Sequence, residues 1–352
     1  MLYDINGNTL EQVYTSDGSI SINGGFAMQP QEPDSGLYFD HGKLHKDGLF
    51  LYDEHNKKME IRGIGTHAIM QYTNLHTLEA FSSLRDFGIN CIRISLYLEN
   101  YNFLKSDGLA HKGYIGNETV QDEEIQRIVN LCEQLGLYVI LDWHVYSWGA
   151  GSGTGIFHQS EAEAFFNKYC DMYRDKPFVM YEIANEPHHQ TISEYVPFIK
   201  AIRTIIKSYI TDPIMITGVC KDPVIDLWSA LIAEGIEDIF ISPHAYEGQI
   251  DPQRYQTLLD AGVPIFNSEW GNAQASGDGE REDARATTLM KYYHREKIPH
   301  CVWKLTDQDM TCAVLKNTGT INSEKYASGF SESDLSAEGK LYFTWFKYFT
   351  TK

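Results

Sequence analysis

The chain has 352 residues, 43% of them hydrophobic and 13% aromatic, with a formal net charge of -19 at pH 7. This length can bury a sizeable core and fits either one large α/β barrel or two ordinary domains. The negative charge, without a Lys/Arg cluster to override it, argues against a protein that binds nucleic acid or anionic membranes.

The first part of the chain lacks a regular pattern. Residues 1–40 are rich in Gly, Ser, Asn, Asp and Pro, which predicts an arm or linker. Residues 42–63 (GKLHKDGLFLYDEHNKKMEIRG) predict a short β-hairpin segment that closes one end of a barrel. Residues 41–352 are predicted to form one domain.

From Glu60 onward, short apolar runs alternate with longer amphipathic ones in eight units. The predicted strands are residues 60–67, 89–98, 137–145, 178–186, 213–219, 238–246, 263–271 and 299–307. The predicted helices are residues 74–88, 119–136, 160–176, 192–210, 222–235, 252–262, 281–298 and 336–349. Strands that are apolar throughout are covered on both faces, and strand-helix repetition indicates parallel strands. Eight units predict an α/β protein of the (β/α)8 TIM barrel class.

A Gly-rich segment, the cysteines and the lack of long apolar runs bear on cofactor binding, metal binding and location. The Gly-rich segment 149–155 (GAGSGTG) has neither GxGxxG spacing nor a P-loop Lys, so it predicts a flexible loop. The six cysteines show no CxxC pair and no metal-type spacing, so they are predicted to be buried free thiols, with one disulfide left open. No apolar run is long enough to cross a bilayer, and residues 1–35 lack the pattern of a signal peptide. The chain is therefore expected either to be cytoplasmic or to have its leader outside this sequence.

Polar and aromatic residues close most of the predicted strands. In a TIM barrel the ligand site lies at the carboxyl ends of the strands. The residues there are His67, Arg93, Tyr97, Asp142, Trp143, His144, Asn185, Glu186, His244, Tyr246, Glu269, Trp270 and Trp303. Each alone has a structural reading, as a salt-bridge partner, a satisfied core histidine or a Trp that fills volume. Together they predict one functional mouth, because each unpaired buried polar group would cost roughly 1 to 3 kcal/mol.

Glu186 and Glu269 stand out in this set because they come from strands four and seven, on opposite sides of the mouth. One carboxyl can hold a proton while the other stays ionised, since burial and mutual repulsion push their pKa values apart. Glycoside cleavage with retention needs two carboxyl groups about 5 to 5.5 Å apart, and inversion needs more. The pair therefore predicts glycoside hydrolysis.

Several motifs make the chain resemble a known family. They are IRGIGTHAIMQY, CIRISLYL, VILDWHV, YEIANEPH, SPHAYEG, PIFNSEWG and CVWKLTDQD, in that order. From about Gly42 to the C-terminus, the chain resembles the endoglucanases (cellulases) of glycoside hydrolase family 5, whose catalytic glutamates follow strands four and seven. The resemblance implies a retaining endo-β-1,4-glucanase acting on cellulose-like or mixed-linkage β-glucans without a cofactor or metal. It also implies a secreted, extracellular monomer, expected to stand alone or as one module of a larger enzyme.

The resemblance also implies roles for individual residues. Glu186 would be the acid/base and Glu269 the nucleophile. Asn185 would reach the sugar 2-hydroxyl, while Arg93 and Tyr246 would keep the nucleophile ionised and oriented. The remaining positions expected to bind substrate or support catalysis are His67, Tyr97, His144, His244 and Trp303, with Trp303 as the platform under the reacting sugar.

The chain departs from the family pattern at two places that hold a more distant sugar. Gln71 stands where similar enzymes commonly have Trp, and Gln308 and Met310 stand where they commonly have Lys and an acidic residue. Weaker candidates for contacts that replace the missing Trp, Lys and acidic residue are Tyr72, Trp148, Tyr146 and Gln308. The three aromatic residues could instead be ordinary surface residues without a role in binding. Xylan, xyloglucan or mannan therefore remain alternative substrates, and an exo-acting mode stays open.

Two readings from other classes remain. A non-catalytic glycan-binding barrel would not need a charged pair such as Glu186 and Glu269. A metal-dependent hydrolase would need a His/Asp cluster, and Asp142 with His144 provides only a pair, because residues two apart on a strand point the same way.

Overall fold

The computed structural model describes residues 34–99, 112–145, 157–187, 191–219 and 223–351, together with the backbone of four short strands before residue 34. One sheet of eight strands forms the barrel, and its neighbours pair in parallel where their register is defined. The strands are β1 (Arg62–Thr66), β2 (Cys91–Tyr97), β3 (Tyr138–His144), β4 (Val179–Glu182), β5 (Met215–Gly218), β6 (Ile239–Ser242), β7 (Asn267–Trp270) and β8 (His300–Leu305).

The sheet runs in the order β6-β5-β4-β3-β2-β1-β8-β7. Isolated parallel bridges from Ile241 to Ile265 and from Ala245 to Trp270 connect its two edges. The sheet is therefore nearly closed on itself, and the predicted TIM barrel is confirmed.

Eight helices follow the strands along the chain. They are α1 (Leu78–Asp86), α2 (Glu118–Leu135), α3 (Gln159–Met172), α4 (Ile192–Tyr209), α5 (Val224–Ala233), α6 (Pro252–Asp260), α7 (Asp283–Glu296) and α8 (Ala337–Thr351). Local sequence explains several ends: Thr77 caps α1 by accepting from Ala80 N, and Asp251 caps α6 just before Pro252. Within the described residues, no helix has the length and apolar character needed to span a bilayer.

Smaller elements complete the described structure. A β-hairpin of His45–Asp47 and Phe50–Tyr52 lies where the sequence predicted one. The others are strand pairs Leu2–Tyr3 with Thr9–Leu10 and Gln12–Tyr14 with Ile20–Ile22, the helix Tyr38–His41, and 3-10 helices at Ile69–Gln71, Thr73–Leu75, Glu324–Ser328 and Glu332–Asp334. Tyr38 packs its ring against Tyr138 and Phe178, so residues just before 41 already contact the barrel.

The barrel interior is closely packed. Every residue of β1 to β8 is buried, as expected for strands covered on both faces. Gly63 is required in β1 because a Cβ there would lie 2.4 Å from Cys301 Sγ. Cys91, Cys132, Cys170, Cys301 and Cys312 are buried free thiols, as predicted, and Cys220 lies outside the described residues.

Strand β4 is shorter than predicted. Regular pairing ends at Glu182, and the predicted strand continued to Glu186. Beyond β4 the backbone is still held from both sides: Asn185 N donates to Trp143 O at 3.2 Å, Glu186 N donates to Val145 O at 3.2 Å, and Gly218 N donates to Ala184 O at 2.7 Å. The chain leaves regular register there but remains fixed between β3 and β5.

Candidate active site

Glu186 and Glu269 lie together at the carboxyl end of the barrel. Glu186 follows β4, and Glu269 lies within β7. One oxygen of each carboxylate and Nδ1 of His244 all lie within 4.8 Å of one another. Glu269 is only 6% exposed, whereas Glu186 is partly exposed, so a ligand in the mouth can reach the pair. In the described part of the chain these three residues are also the one group of His, Cys, Asp and Glu donors close enough to share a metal ion.

Arg93 and Tyr246 hold Glu269 from two sides. Nη1 of Arg93 donates to Glu269 Oε2 at 2.7 Å, and the Tyr246 hydroxyl donates to Glu269 Oε1 at 2.7 Å. Burial opposes the charge on Arg93, but Asp142, Glu182 and Glu269 outweigh it and keep the pKa of Arg93 well above its usual value. Both oxygens of Glu269 thus accept from fixed donors, which fixes the direction of the carboxylate.

His244 supports the other carboxylate. Its Nδ1 lies 2.7 Å from Glu186 Oε1 and 3.9 Å from Glu269 Oε1. Burial opposes a charge on His244, but the negative charge of Glu269 and the hydrogen bond to Glu186 outweigh it, so the pKa of His244 is raised. Arg254 donates to the backbone oxygen of His244 at 2.7 Å and fixes the loop after β6.

Asp142, His144 and Asn185 form a second hydrogen-bonded chain. His144 Nδ1 lies 2.6 Å from Asp142 Oδ2, so residues two apart on β3 do share a face. Burial and the charge of Arg93 lower the pKa of His144 to about 3, so the ring is neutral at ordinary pH. A neutral ring with its proton on Nδ1 accepts at Nε2 from Asn185 Nδ2, 3.4 Å away, while Asn185 Oδ1 accepts from Arg93 Nη2 at 2.6 Å. These contacts fix which way the Asn185 amide faces.

Two residues in this network were missed in the sequence. Glu182 accepts from Nε and Nη2 of Arg93 at 2.7 and 3.0 Å, and Ser268 Oγ donates to Glu182 Oε1 at 2.7 Å. Burial raises the pKa of Glu182, and the charge and hydrogen bonds of Arg93 oppose that rise. The available signal was a carboxylate within the apolar run before Asn185, since a buried Glu requires a partner.

Asp142 also faces the guanidinium of Arg93, with Oδ2 and Nη2 2.9 Å apart. Burial raises the pKa of Asp142 to about 7. The positive charge of Arg93 opposes this rise, and the negative charge of Glu269 adds to it. One buried cation therefore faces three carboxylates, those of Asp142, Glu182 and Glu269.

Aromatic rings line the mouth beside the carboxylates. The Trp303 ring lies parallel to His144 at 5.8 Å and tilted against His67 at 5.7 Å. Tyr97 contacts both histidines, at 4.3 Å from His144 and 5.3 Å from His67. The structure thus brings these four predicted residues into one wall. Trp143 and Trp270 instead lie in the core, where their indole nitrogens donate to Phe157 O and His300 Nδ1.

The positions that depart from the family pattern also lie near this wall. The Tyr72 hydroxyl donates to Gln308 Oε1 at 3.4 Å, and the Tyr72 ring is fully buried against His67. Gln71 is buried, and Met310 packs against the cluster that contains Trp303. Trp148 and Tyr146 lie outside the described residues.

Known proteins share this sequence and fold. The chain is 28% identical over 313 residues to Endoglucanase 5 of Pectobacterium carotovorum subsp. carotovorum, covering 86% of this chain and 57% of that protein. It is 29% identical over 311 residues to Endoglucanase A of Butyrivibrio fibrisolvens, covering 84% of this chain and 66% of that protein. The chain thus spans less than two thirds of the length of these curated relatives.

Among solved structures, the catalytic domain of Thermobifida fusca endoglucanase Cel5A in complex with cellotetraose is similar with a TM-score of 0.74 and 23% identity, covering 88% of this chain and 99% of that one. This likeness shows a shared fold. Residues 52–309 match the family described as "Cellulase (glycosyl hydrolase family 5)". Because this match covers most of the chain, the predicted family is confirmed, and the chain belongs to the cellulase family, glycosyl hydrolase family 5.

Proposed function

We propose that this chain is a retaining endo-β-1,4-glucanase that hydrolyses cellulose-like or mixed-linkage β-glucans by double displacement. The observation that carries the proposal is the Glu186 and Glu269 pair, whose nearest ligand atoms lie within 4.8 Å. That proximity supports the short carboxyl separation of retaining glycosidases, about 5 to 5.5 Å, over the wider separation of inverting ones. The names of the curated relatives support the same activity.

In the first step Glu269 attacks the anomeric carbon while Glu186 gives its proton to the leaving oxygen. Glu269 suits attack because Arg93 and Tyr246 hold its two oxygens in place. The carbon-oxygen bond to the leaving sugar breaks as the bond to Glu269 forms. A covalent glycosyl-enzyme and a shortened glucan result.

In the second step Glu186, now ionised, takes a proton from water, and the water oxygen attacks the anomeric carbon. Glu269 leaves as a carboxylate, and the configuration of the product matches that of the substrate. His244, at 2.7 Å from Glu186 Oε1, stabilises Glu186 in the interval when it has lost its proton.

The remaining site residues would bind the substrate. Asn185 would meet the sugar 2-hydroxyl beside the nucleophile, and the contacts of its amide with Arg93 and His144 support this role. Trp303 would lie under the sugar ring, because an aromatic face matches the apolar face of a β-glucosyl unit. His67 packs against Trp303 and Tyr97 packs against His67, and these contacts would hold the Trp303 ring in its orientation.

A related glycan remains the second candidate. Gln71, Gln308 and Met310 replace the contacts expected for a more distant glucosyl unit, so xylan, xyloglucan or mannan would be bound if those positions set the preference.

We also propose that residues 41–352 form the catalytic domain with residues 1–40 as an arm, and that the enzyme works as a secreted monomer. It could stand alone or as a module of a larger protein.

The experiment compares wild type with Glu269→Ala on carboxymethyl cellulose, lichenan, xyloglucan, xylan and glucomannan, following reducing ends and product sizes. Internal cleavage of a β-glucan by wild type alone, with the β-anomer appearing first by NMR, supports the proposal. A higher rate on another polymer identifies the second candidate. Binding without cleavage of any polymer by wild type contradicts an enzymatic role.

A further inference from the structure

Glu182 lies beneath the catalytic pair without being part of the proposed reaction. It is fully buried at the end of β4. Its two oxygens accept from Nε and Nη2 of Arg93, which is the planar two-bond fork of a carboxylate with a guanidinium. The third nitrogen of the same guanidinium, Nη1, donates to Glu269. Glu182 and Glu269 therefore bind different edges of one rigid, planar group.

Ser268 ties this fork to the strand that bears the nucleophile. Its Oγ donates to Glu182 Oε1, and its backbone N donates to Ser242 Oγ at 2.9 Å. Both the side chain and the backbone of Ser268 are therefore held. Ser268 directly precedes Glu269 in the chain. Strands β2, β4, β6 and β7 are thus linked through the Glu182 carboxylate and the hydroxyls of Ser242 and Ser268.

We propose that Glu182 is a positioning residue for the nucleophile: it fixes Arg93 from the edge away from Glu269 and takes up part of its charge. This role rests on the proposed function, because it sets how strongly Arg93 acts on Glu269. A misplaced guanidinium would leave Glu269 wrongly aimed at the anomeric carbon, and small errors in such geometry reduce rates strongly.

The charges around Glu269 determine in which direction the pH profile should move when Glu182 is replaced. Glu269 faces Arg93 and Lys304 as cations, His244 and Tyr246 as titratable donors, and carboxylates from other strands. Those carboxylates are Asp142, Glu182 and Glu186. Replacing Glu182 by a neutral residue removes one negative charge from the guanidinium, so Arg93 acts more fully on Glu269 and lowers its proton affinity.

Two variants test the positioning role. Glu182→Gln should lower kcat about 10²-fold and move the acidic limb of kcat/KM to lower pH by about one unit. Ser268→Ala keeps the charge of Glu182 but removes one of its donors. The Glu182 carboxylate then has one support fewer on Arg93, and the limb should move by a smaller amount than in Glu182→Gln. The substrate is a neutral cello-oligosaccharide, because it does not titrate in this range.

Glu60→Gln is the matched control. Glu60 is also a buried carboxylate paired with an arginine and a histidine, Arg62 at 3.3 Å and His294 at 2.7 Å, but it lies before β1, at the other end of the barrel. This variant should lose stability and keep the wild-type acidic limb. It separates the general effect of removing a buried charge from an effect on Glu269.

The outcomes distinguish the inference from the proposed function. Unshifted limbs in both site variants of an active enzyme overturn the positioning role, as does a shift of Glu182→Gln to higher pH. If Glu182→Gln does not fold, Ser268→Ala decides alone, and an unshifted limb there overturns the inference. A wild type without turnover overturns the proposed function, and the inference falls with it.

Discussion

Nη1 of Arg93 lies 2.7 Å from Oε2 of Glu269, and both side chains are buried. The opposite oxygen of Glu269 accepts from Tyr246. This arrangement fixes the direction of the carboxylate that we propose as nucleophile.

Tyr246→Phe should lower kcat/KM about 10-fold to 100-fold, because a hydrogen bond to a charged group is worth about 1.5 to 3 kcal/mol. The ionised form of Glu269 loses a donor, so the acidic limb of the pH profile should move to higher pH. Steady-state kinetics across pH measure both effects. Tyr326→Phe is the control, since that buried hydroxyl donates to Lys316 O away from the site. An unshifted limb in Tyr246→Phe would argue against its role.

Glu186→Ala should lower turnover of a glucan by about 10² to 10⁴-fold, the usual contribution of a general acid. An aryl glycoside with an acidic phenol needs little protonation of its leaving oxygen, so formation of the glycosyl-enzyme should be much less impaired. Pre-steady-state release of the phenol measures that step. Equal losses on both substrates would contradict the acid role of Glu186.

Gly218→Ala should impair both folding and catalysis. A Cβ at Gly218 would lie 1.7 Å from the backbone oxygen of Asn185, next to Glu186, so the chain after β4 must move. We expect a stability loss of about 1 to 3 kcal/mol and a lower kcat, measured by urea unfolding and kinetics. Gly262→Ala has open space but a φ of 77°, so it should destabilise without lowering kcat. An unchanged kcat in Gly218→Ala would contradict this prediction.

His41→Gln should show a pH-dependent stability loss at the other end of the barrel. His41 lies 2.7 Å from both Asp34 and Asp53. Burial opposes its charge, but these two carboxylates outweigh it and raise the pKa of His41 above its usual value. A raised folded-state pKa contributes stability that is fully present below the unfolded value of about 6.5. That contribution is lost as the pH rises through the folded pKa.

Urea unfolding of wild type and His41→Gln checks this at two pH values. One, pH 5.5 to 6, lies below the unfolded pKa of about 6.5, and the other, about pH 9, lies above it. The difference in unfolding free energy between the two proteins should be larger at the lower pH. His55→Gln is the control, because His55 is exposed and its contact with Glu54 is 3.7 Å long. An equal difference at both pH values would contradict a charged His41.

The sequence predicted the barrel well because each strand and helix has its own local pattern. It also predicted which residues meet at the mouth, since all parallel strands end at the same edge. The strand-end pattern alone did not separate Trp303, which lines the mouth, from Trp143 and Trp270, which lie in the core; the family resemblance did. A Trp that closes a strand can point to either side, and the choice depends on the register and curvature of its neighbours.

Glu182 and Ser268 were missed for a related reason. Their partner, Arg93, lies on β2, and the contacts exist only after β2, β4 and β7 come together in the barrel. Local spacing carries no information on contacts between strands so far apart in sequence. For Tyr72, the sequence indicated an aromatic near the mouth but not that its ring would be fully buried.

The most direct test of the central claim is to trap the covalent intermediate. Wild type would be incubated with an activated 2-deoxy-2-fluoro cellobioside, whose fluorine slows the second step, and the labelled peptide would be identified by mass spectrometry. A double-displacement enzyme with Glu269 as nucleophile predicts one sugar per chain, attached to Glu269, and no label on Glu269→Ala. A label on Glu186 or on another residue, or hydrolysis of glucans with inversion, would contradict that assignment.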